Sequence, residues 1–182
     1  MVLLTGPRTV LGSPELPPVP PALIGLARAD HLYLPGPVYA PPGVYPEGKI
    51  DWEVIHALVR QSAETAGIPS PWKSLFEPTD RVGVMIDTTP PAVPMVTVDA
   101  VLEQLVRAGL SPDRLFIFSA EETGLFAAGF SLKSEGQGVK CYGADRMGYR
   151  GGLSRLVLDT CDKIVNLAVL RPSPVFGMTG CL

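Results

Sequence analysis

The chain has 182 residues, of which 46% are hydrophobic and 18% are charged, so it is long enough to bury a core of its own. Its net charge of −3 and sequence pI near 5.4 argue against a general nucleic-acid binder, because such proteins present clustered Lys and Arg. No apolar run reaches the roughly 20 residues that cross a bilayer, and no export signal is visible, so we expect a cytoplasmic protein without a membrane span.

Proline divides the sequence into two parts. Eleven of the 20 prolines fall before residue 49, and proline is disfavoured in helix interiors and in central strands. We therefore expect a Pro-rich, extended arm over residues 1–48 and an α/β domain over residues 49–182. The first helix of that domain is predicted over residues 51–66, where Asp51 suits the N-cap position and apolar residues recur at helical spacing.

Four segments after residue 80 have the pattern of buried parallel strands, because their apolar runs are continuous and bounded by turn residues. The predicted strands are 81–87, 115–118, 139–143 and 163–170, and helices are predicted between them up to Gly109, over 121–130 and over 152–161. This order predicts an α/β fold: a mostly parallel sheet with helices on both faces, Rossmann-like and three-layered. The sequence stops after one further loop, before a last covering helix, so we expect a domain truncated at its C-terminus.

Polar side chains follow the strands at their carboxyl ends, where open parallel sheets bind their ligands. Asp87 and Glu121 are candidate catalytic residues, since two converging carboxylates can bind a divalent metal or divide acid and base roles. Thr88 and Arg171 are candidate substrate contacts in the neighbouring loops. The alternative is that these acidic residues serve only as helix caps and solvated turns.

In a second candidate site, two adjacent glycines precede the predicted start of the last helix, with Arg150 before them and Ser154 and Arg155 after them. Free amides at a helix N-terminus together with guanidinium groups bind phosphate or carboxylate. The alternative is a flexible turn with Ser154 as the N-cap and two solvated arginines. No dinucleotide fingerprint and no Walker loop occurs, which argues against the usual modes of nicotinamide or ATP binding.

The three cysteines are spaced twenty residues apart, which fits neither a zinc site nor an iron–sulfur run. We therefore expect Cys141, Cys161 and Cys181 to be free thiols, buried or near the surface, and we expect no cofactor in this chain.

The order of these motifs resembles the domain of unknown function 362 family over about residues 50–182. Members of that family combine a valine-rich strand with a distal aspartate, an apolar strand, a Lys-x-His motif and a Thr-Gly block. The matching segments here are 82–87, 105–109, 149–152, 162–167 and 177–182. Three features depart from the family: Asp87 replaces an Asn, Arg171 and Ser173 stand where Lys and His are common, and the expected Lys-Asn pair lies beyond residue 182.

The resemblance implies association with iron–sulfur proteins, because some relatives carry ferredoxin-like segments. The closely spaced cysteines of such a segment are not in this sequence, so a cluster is expected only in a missing segment or in a partner.

Two functions remain open. The chain is either an enzyme that binds a small anionic substrate at the strand ends, or a non-catalytic binding or scaffold module for a redox or iron–sulfur partner. Whether it is an oligomer also remains open, and an apolar face left without its covering helix would favour association. One closed pocket lined by Asp87, Glu121 and Arg150 would favour the enzyme, whereas dispersed surface positions would argue against it.

Overall fold

The computed structural model describes residues 2–4, 27–29, 51–65, 71–174 and 177–179, so most of the predicted arm and Cys181 lie outside the described residues. The strands are β1 (Val2–Leu4), β2 (Val82–Ile86), β3 (Leu115–Phe118), β4 (Lys140–Cys141), β5 (Tyr149–Arg150), β6 (Leu153–Ser154), β7 (Lys163–Leu167), β8 (Arg171–Ser173) and β9 (Gly177–Thr179). The α-helices are α1 (Trp52–Glu64), α2 (Pro71–Leu75), α3 (Met95–Arg107) and α4 (Glu122–Ala127). Two 3-10 turns (Pro112–Arg114 and Ala144–Met147) and a short π-helix (Leu156–Thr160) complete the described elements.

Five of the strands form one sheet in the spatial order β1-β7-β2-β3-β4. Strands β7, β2, β3 and β4 are parallel, and β1 pairs with β7 in the antiparallel direction. The prediction of an α/β fold with a mostly parallel sheet is therefore confirmed. Strand β1 shows that three residues of the segment predicted as an arm belong to the sheet.

The side chains of the central strands alternate between two apolar cores, one on each face of the sheet. On β2, Val82, Val84 and Ile86 belong to the larger core, which α1 and α3 cover. Met85 packs on the opposite face, against a smaller core closed by Leu156 of the π-helix. Among the described residues, the smaller core contains none from an α-helix, so this face is covered by 3-10 and π turns.

The first long helix lies where the sequence predicts, and the second ends before Gly109 as predicted but begins at Met95, earlier than the predicted start at Thr97 or Asp99. Asp51 is the N-cap of α1, and its carboxylate accepts a hydrogen bond from the Val54 amide at 3.2 Å. Gly109 follows the last residues of α3 with a φ of +109°, a conformation that glycine adopts without strain. The imidazole of His56 on α1 lies 2.5 Å from a carboxylate oxygen of Glu103 on α3, which joins the two helices.

The helix predicted over residues 152–161 forms only in its second half, as a π-helix over Leu156–Thr160, and the prediction was wrong for residues 152–154. Strands β5 and β6 form an antiparallel hairpin instead, and only the five-residue π-helix follows it. Gly151 and Gly152 have φ angles of +60° and +82°, and two successive positive φ angles are what a tight hairpin turn requires. The glycine pair therefore reverses the chain instead of preceding a helix.

Candidate functional site

The strand order places a topological switch point between β2 and β7. From β2 the chain continues to β3 and β4 on one side, whereas β7 lies on the other side of β2. In open parallel sheets, the crevice beyond the carboxyl ends at such a point is the usual position of a ligand. The residues that follow β2 and β7 include Asp87 and Arg171, two of the residues that the sequence predicts for a site.

Asp87 and Arg171 form an ion pair across this switch point. Arg171 Nη1 donates to Asp87 Oδ2 at 2.6 Å, and Nη2 donates to the carbonyl oxygens of Thr89 and Pro91 at 2.5 and 2.8 Å. The other carboxylate oxygen of Asp87 accepts from the Thr89 amide at 2.9 Å. Both side chains are largely buried, with exposed fractions of 20% for Arg171 and 25% for Asp87. The pair therefore ties β8 to the loop that follows β2.

The pKa of Asp87 is lowered in this setting. Partial burial raises the pKa, but the hydrogen bonds from Thr89 and the charge and hydrogen bond of Arg171 outweigh it. A general base works best when its pKa lies near the operating pH. Asp87 is thus an ionised, paired carboxylate, which is poorly suited to accept a proton at neutral pH.

The other residues predicted at the strand ends each contact their own loop or a neighbouring one. Thr88 packs against the backbone of Gly124 in α4, where a β-carbon on Gly124 would lie 3.3 Å from Thr88 Cβ. Glu121 is the N-cap residue of α4, and its carboxylate accepts a hydrogen bond from the Thr123 hydroxyl at 3.2 Å. No described hydrogen bond or ion pair joins Asp87 to Glu121.

The arginines of the second candidate site are paired within the chain. Arg150 Nη2 and Arg155 Nε bind the two carboxylate oxygens of Asp159 at 3.0 and 3.3 Å. Ser154 donates its hydroxyl proton to the carbonyl oxygen of Ala144 at 3.3 Å and accepts from the Leu156 amide at 3.1 Å. Because no long helix begins here, the predicted anion site lacks the helix N-terminus on which it depended. Asp159 was not predicted, although its spacing of four from Arg155 is a recognisable pairing signal.

A pocket of about 230 Å³ opens beside the switch point, between α1, α3 and the end of β7. Its polar lining groups are the hydroxyl-bearing Ser62 and Thr97, and Ser62 already donates to the carbonyl oxygen of Val59 at 2.9 Å. The remaining lining residues are apolar: Ala27, Leu58, Val59, Val93, Val101, Leu167 and Ala168. None of the residues predicted for a site lines this pocket.

The loop clamped by Arg171 forms one wall of the pocket. The amide of Val93 donates to the carbonyl oxygen of Asp87 at 3.2 Å, and Val93 lines the pocket. Arg171 binds two carbonyl groups between these two residues. The ion pair at the switch point therefore positions a pocket wall.

The described cysteines are poor nucleophiles and poor metal ligands. Cys141 and Cys161 are buried and free, and burial raises the pKa of their thiols to about 11 and about 12. Within the described part of the chain, no group of three or more His, Cys, Asp or Glu side chains is arranged to hold a metal ion. No described helix has the length and apolar character needed to cross a membrane.

Comparison with known proteins adds no relative: the chain matches no protein-family model, no curated protein and no solved structure. The resemblance to the domain of unknown function 362 family stays a prediction.

Proposed function

We propose that this chain is a non-catalytic binding module that takes a small apolar group in the pocket at the carboxyl edge of its sheet. The observation that carries this proposal is the position of the pocket beside the topological switch point, where α/β sheets hold their ligands. Its lining, mostly apolar with a few hydroxyl groups, has the composition of small-molecule sites in general.

The pocket is partly open to solvent, so its volume sets the size of the group that it encloses. Cavities of about 150 Å³ lined by aliphatic and aromatic side chains hold one benzene molecule. A volume of about 230 Å³ therefore suits a single aromatic ring system or a branched aliphatic group. Thr97 supplies a hydroxyl group for one polar atom of such a ligand.

The enzyme alternative has weaker support. Asp87 is ionised and paired with Arg171, the Glu121 carboxylate accepts a hydrogen bond from the Thr123 hydroxyl, and Arg150 binds Asp159 on the surface. The groups that would bind and convert a small anion are thus engaged by partners within the chain. At the switch point, an anionic substrate would have to displace the Asp87 carboxylate from Arg171.

Binding of indole, measured by calorimetry or ligand-observed NMR, tests the proposal, and benzoate serves as an anion of similar size. We expect indole to bind and benzoate to bind at least tenfold more weakly, because none of the described residues that line the pocket carries a positive charge. Ala168→Leu adds bulk at an exposed position of the pocket lining and should abolish indole binding. Ala127→Leu, at an exposed position of α4 outside the pocket, is the matched control and should bind as the wild type does. Binding of neither probe, or equal binding by both variants, would contradict the proposal.

Several finer expectations stay predictions beside this proposal: the association with a redox or iron–sulfur protein, an oligomeric state and a cytoplasmic location. A redox partner is compatible with a binding module, since a module without its own cluster can serve a protein that carries one.

A further inference from the structure

Met147 lies where the two short turns that cover the smaller core meet. It is the last residue of the 3-10 turn Ala144–Met147, and the π-helix Leu156–Thr160 is the second turn. The Tyr142 hydroxyl lies 4.0 Å from the Met147 sulfur, and the Thr160 hydroxyl lies 3.9 Å from it. The sulfur is therefore shared by two hydroxyl groups, one that follows β4 and one at the end of the π-helix.

These contacts are weak while the side chain is a thioether. Sulfur is a weak acceptor, and separations of 3.9 and 4.0 Å are long beside the roughly 2.5–3.0 Å of an O–H···O hydrogen bond. An oxygen atom bonded to the sulfur on the side of a hydroxyl would shorten that separation by one covalent bond, into the range of a hydrogen bond. The two hydroxyls thus stand where a sulfoxide oxygen finds a donor.

An oxidant can reach Met147, whereas the described cysteines are protected. Met147 is 37% exposed. Cysteine reacts with peroxides as the thiolate, and Cys141 and Cys161 are buried, which raises the pKa of their thiols to about 11 and about 12. A thioether has no proton to lose, so its oxidation does not depend on a pKa.

A sulfoxide at this position does not have to enter the smaller core. Oxidation of methionine commonly disrupts apolar cores, because it makes a flexible apolar side chain polar. Met147 lies at the edge of the smaller core and is not one of its buried residues. The polar oxygen would therefore gain a hydrogen bond there without displacing a core side chain.

We propose that Met147 is a site of reversible oxidation by hydroperoxides, and that its sulfoxide strengthens the cover of the smaller core. The sulfur attacks one peroxide oxygen: an S–O bond forms, the O–O bond breaks, and the proton of the transferred oxygen moves to the leaving oxygen. The sulfur loses two electrons, and hydrogen peroxide is reduced to water. The sulfoxide oxygen then accepts from the hydroxyl of Tyr142 or of Thr160, according to its configuration. Methionine sulfoxide reductases, whose thiols supply two electrons, remove the oxygen as water.

Hydrogen exchange, followed by mass spectrometry before and after treatment with millimolar hydrogen peroxide, tests the proposal. Peptide mapping identifies the oxidised methionines. We expect a sulfoxide at Met147 and exchange of the amides of residues 144–160 slowed by about fivefold, the equivalent of one net hydrogen bond. Exchange of β2 should not change. Treatment with methionine sulfoxide reductases should restore the original rates.

Three variants separate this effect from oxidation elsewhere in the chain. Met147→Leu should show no slowing after peroxide treatment. Met95→Leu is the matched control and should respond as the wild type does, since Met95 is 46% exposed but no hydroxyl group of the described residues donates to its sulfur. The double variant Tyr142→Phe/Thr160→Val should still be oxidised at Met147 but should show no slowing, because both donors are gone.

Four results would overturn the proposal: no sulfoxide at Met147 when Met95 is oxidised, unchanged or faster exchange in the oxidised wild type, slowing in Met147→Leu, or slowing in the double variant. Each response is a ratio within one chain, and the wild type alone decides the first two results if a variant folds poorly. None of the three residues that form this site lines the pocket, so peroxide sensitivity and indole binding succeed or fail separately.

Discussion

Arg171 bridges a carboxylate and two backbone carbonyl groups, and only a guanidinium has the geometry to do so. Its Nη1 binds Asp87, while Nη2 binds the carbonyl oxygens of Thr89 and Pro91. A lysine ammonium is a single point of charge on a flexible chain and cannot span these acceptors together. The residue is thus a structural clamp on the loop that ends at the pocket wall.

We expect Asp87→Asn to lower the free energy of unfolding by about 1–3 kcal/mol at pH 7, because Arg171 then lacks its countercharge in a largely buried position. The pKa of Asp87 is lowered in the folded chain. Its stabilisation is therefore fully present above the unfolded-state value, about 4, and is lost as the pH falls through the folded-state pKa. The difference between the wild type and the variant should be constant near neutral pH and should shrink below about pH 4.

Urea unfolding at a series of pH values measures this difference. Glu135→Gln, which neutralises an exposed carboxylate, is the control and should change stability by less than about 0.5 kcal/mol. A loss for Asp87→Asn that grows toward low pH would have the wrong sign and would rule out the paired, ionised state.

At the scale of elements, β2 approaches the segment after the π-helix closely at Gly83. A β-carbon at this position would lie 2.7 Å from a ring carbon of Phe118 and 2.8 Å from the sulfur of Cys161. Glycine is needed here for space, since any side chain would separate the strand from the smaller core.

We expect Gly83→Ala to lower the free energy of unfolding by about 1–3 kcal/mol, the usual cost of overpacking a core. In the double variant Gly83→Ala/Cys161→Ala the sulfur is gone, so the loss should be smaller than the sum of the two single losses. Denaturant unfolding of all four chains gives the coupling energy. Strict additivity would mean that the sulfur does not obstruct a side chain at residue 83.

The sequence predicts best the elements that are buried in the sheet or packed directly against it, because that burial requires a regular apolar pattern. The predicted strand 115–118 coincides with β3, because a continuous apolar run bounded by turn residues marks a buried strand. The helix predicted up to Gly109 is α3, because its buried residues recur at helical spacing. The strand predicted over 139–143 is only two residues long, and Lys133 pairs with Cys141 at its outer edge.

The hairpin and the pocket were missed for different reasons. Leu153 and Leu156 stand at helical spacing, so the periodicity of the sequence favours a helix. The two adjacent glycines favour a tight turn, and the chain forms a hairpin there. Leu58 and Val59 line the pocket, and they recur along α1 at the same helical spacing as its core residues. A sequence pattern therefore cannot show whether such a side chain faces a cavity or a packed interior. Asp87 and Arg171 were both predicted for the site, but their pairing depends on the strand order.

For the whole molecule, the unequal covering of the sheet predicts unequal local stability. The larger core lies under α1 and α3, whereas the smaller one is covered by short turns between residues 144 and 160. Regions with few buried apolar contacts open locally at a lower free-energy cost than the global one.

We therefore expect backbone amides of β2, β3 and β7 to exchange with deuterium most slowly, and amides of residues 144–160 to exchange at least tenfold faster. Hydrogen exchange followed by mass spectrometry under native conditions measures this contrast. Helix α3 is the internal comparison on the better-covered face and should resemble the central strands. Protection of residues 144–160 equal to that of β2 would indicate a single cooperative unit instead.

The placement of β7 also has a consequence for synthesis on the ribosome. Strand β7 lies between β1 and β2 in space, and its register pairs Val2 with Asn166, 164 positions later along the chain. Strands β2, β3 and β4 are translated well before their neighbour, so one side of β2 has no partner until β7 emerges from the exit tunnel. Pairings this distant along the chain form slowly, and an open strand edge invites association with other chains. We therefore expect the nascent protein to need chaperones most just before β7, the last strand of the five-stranded sheet, is made.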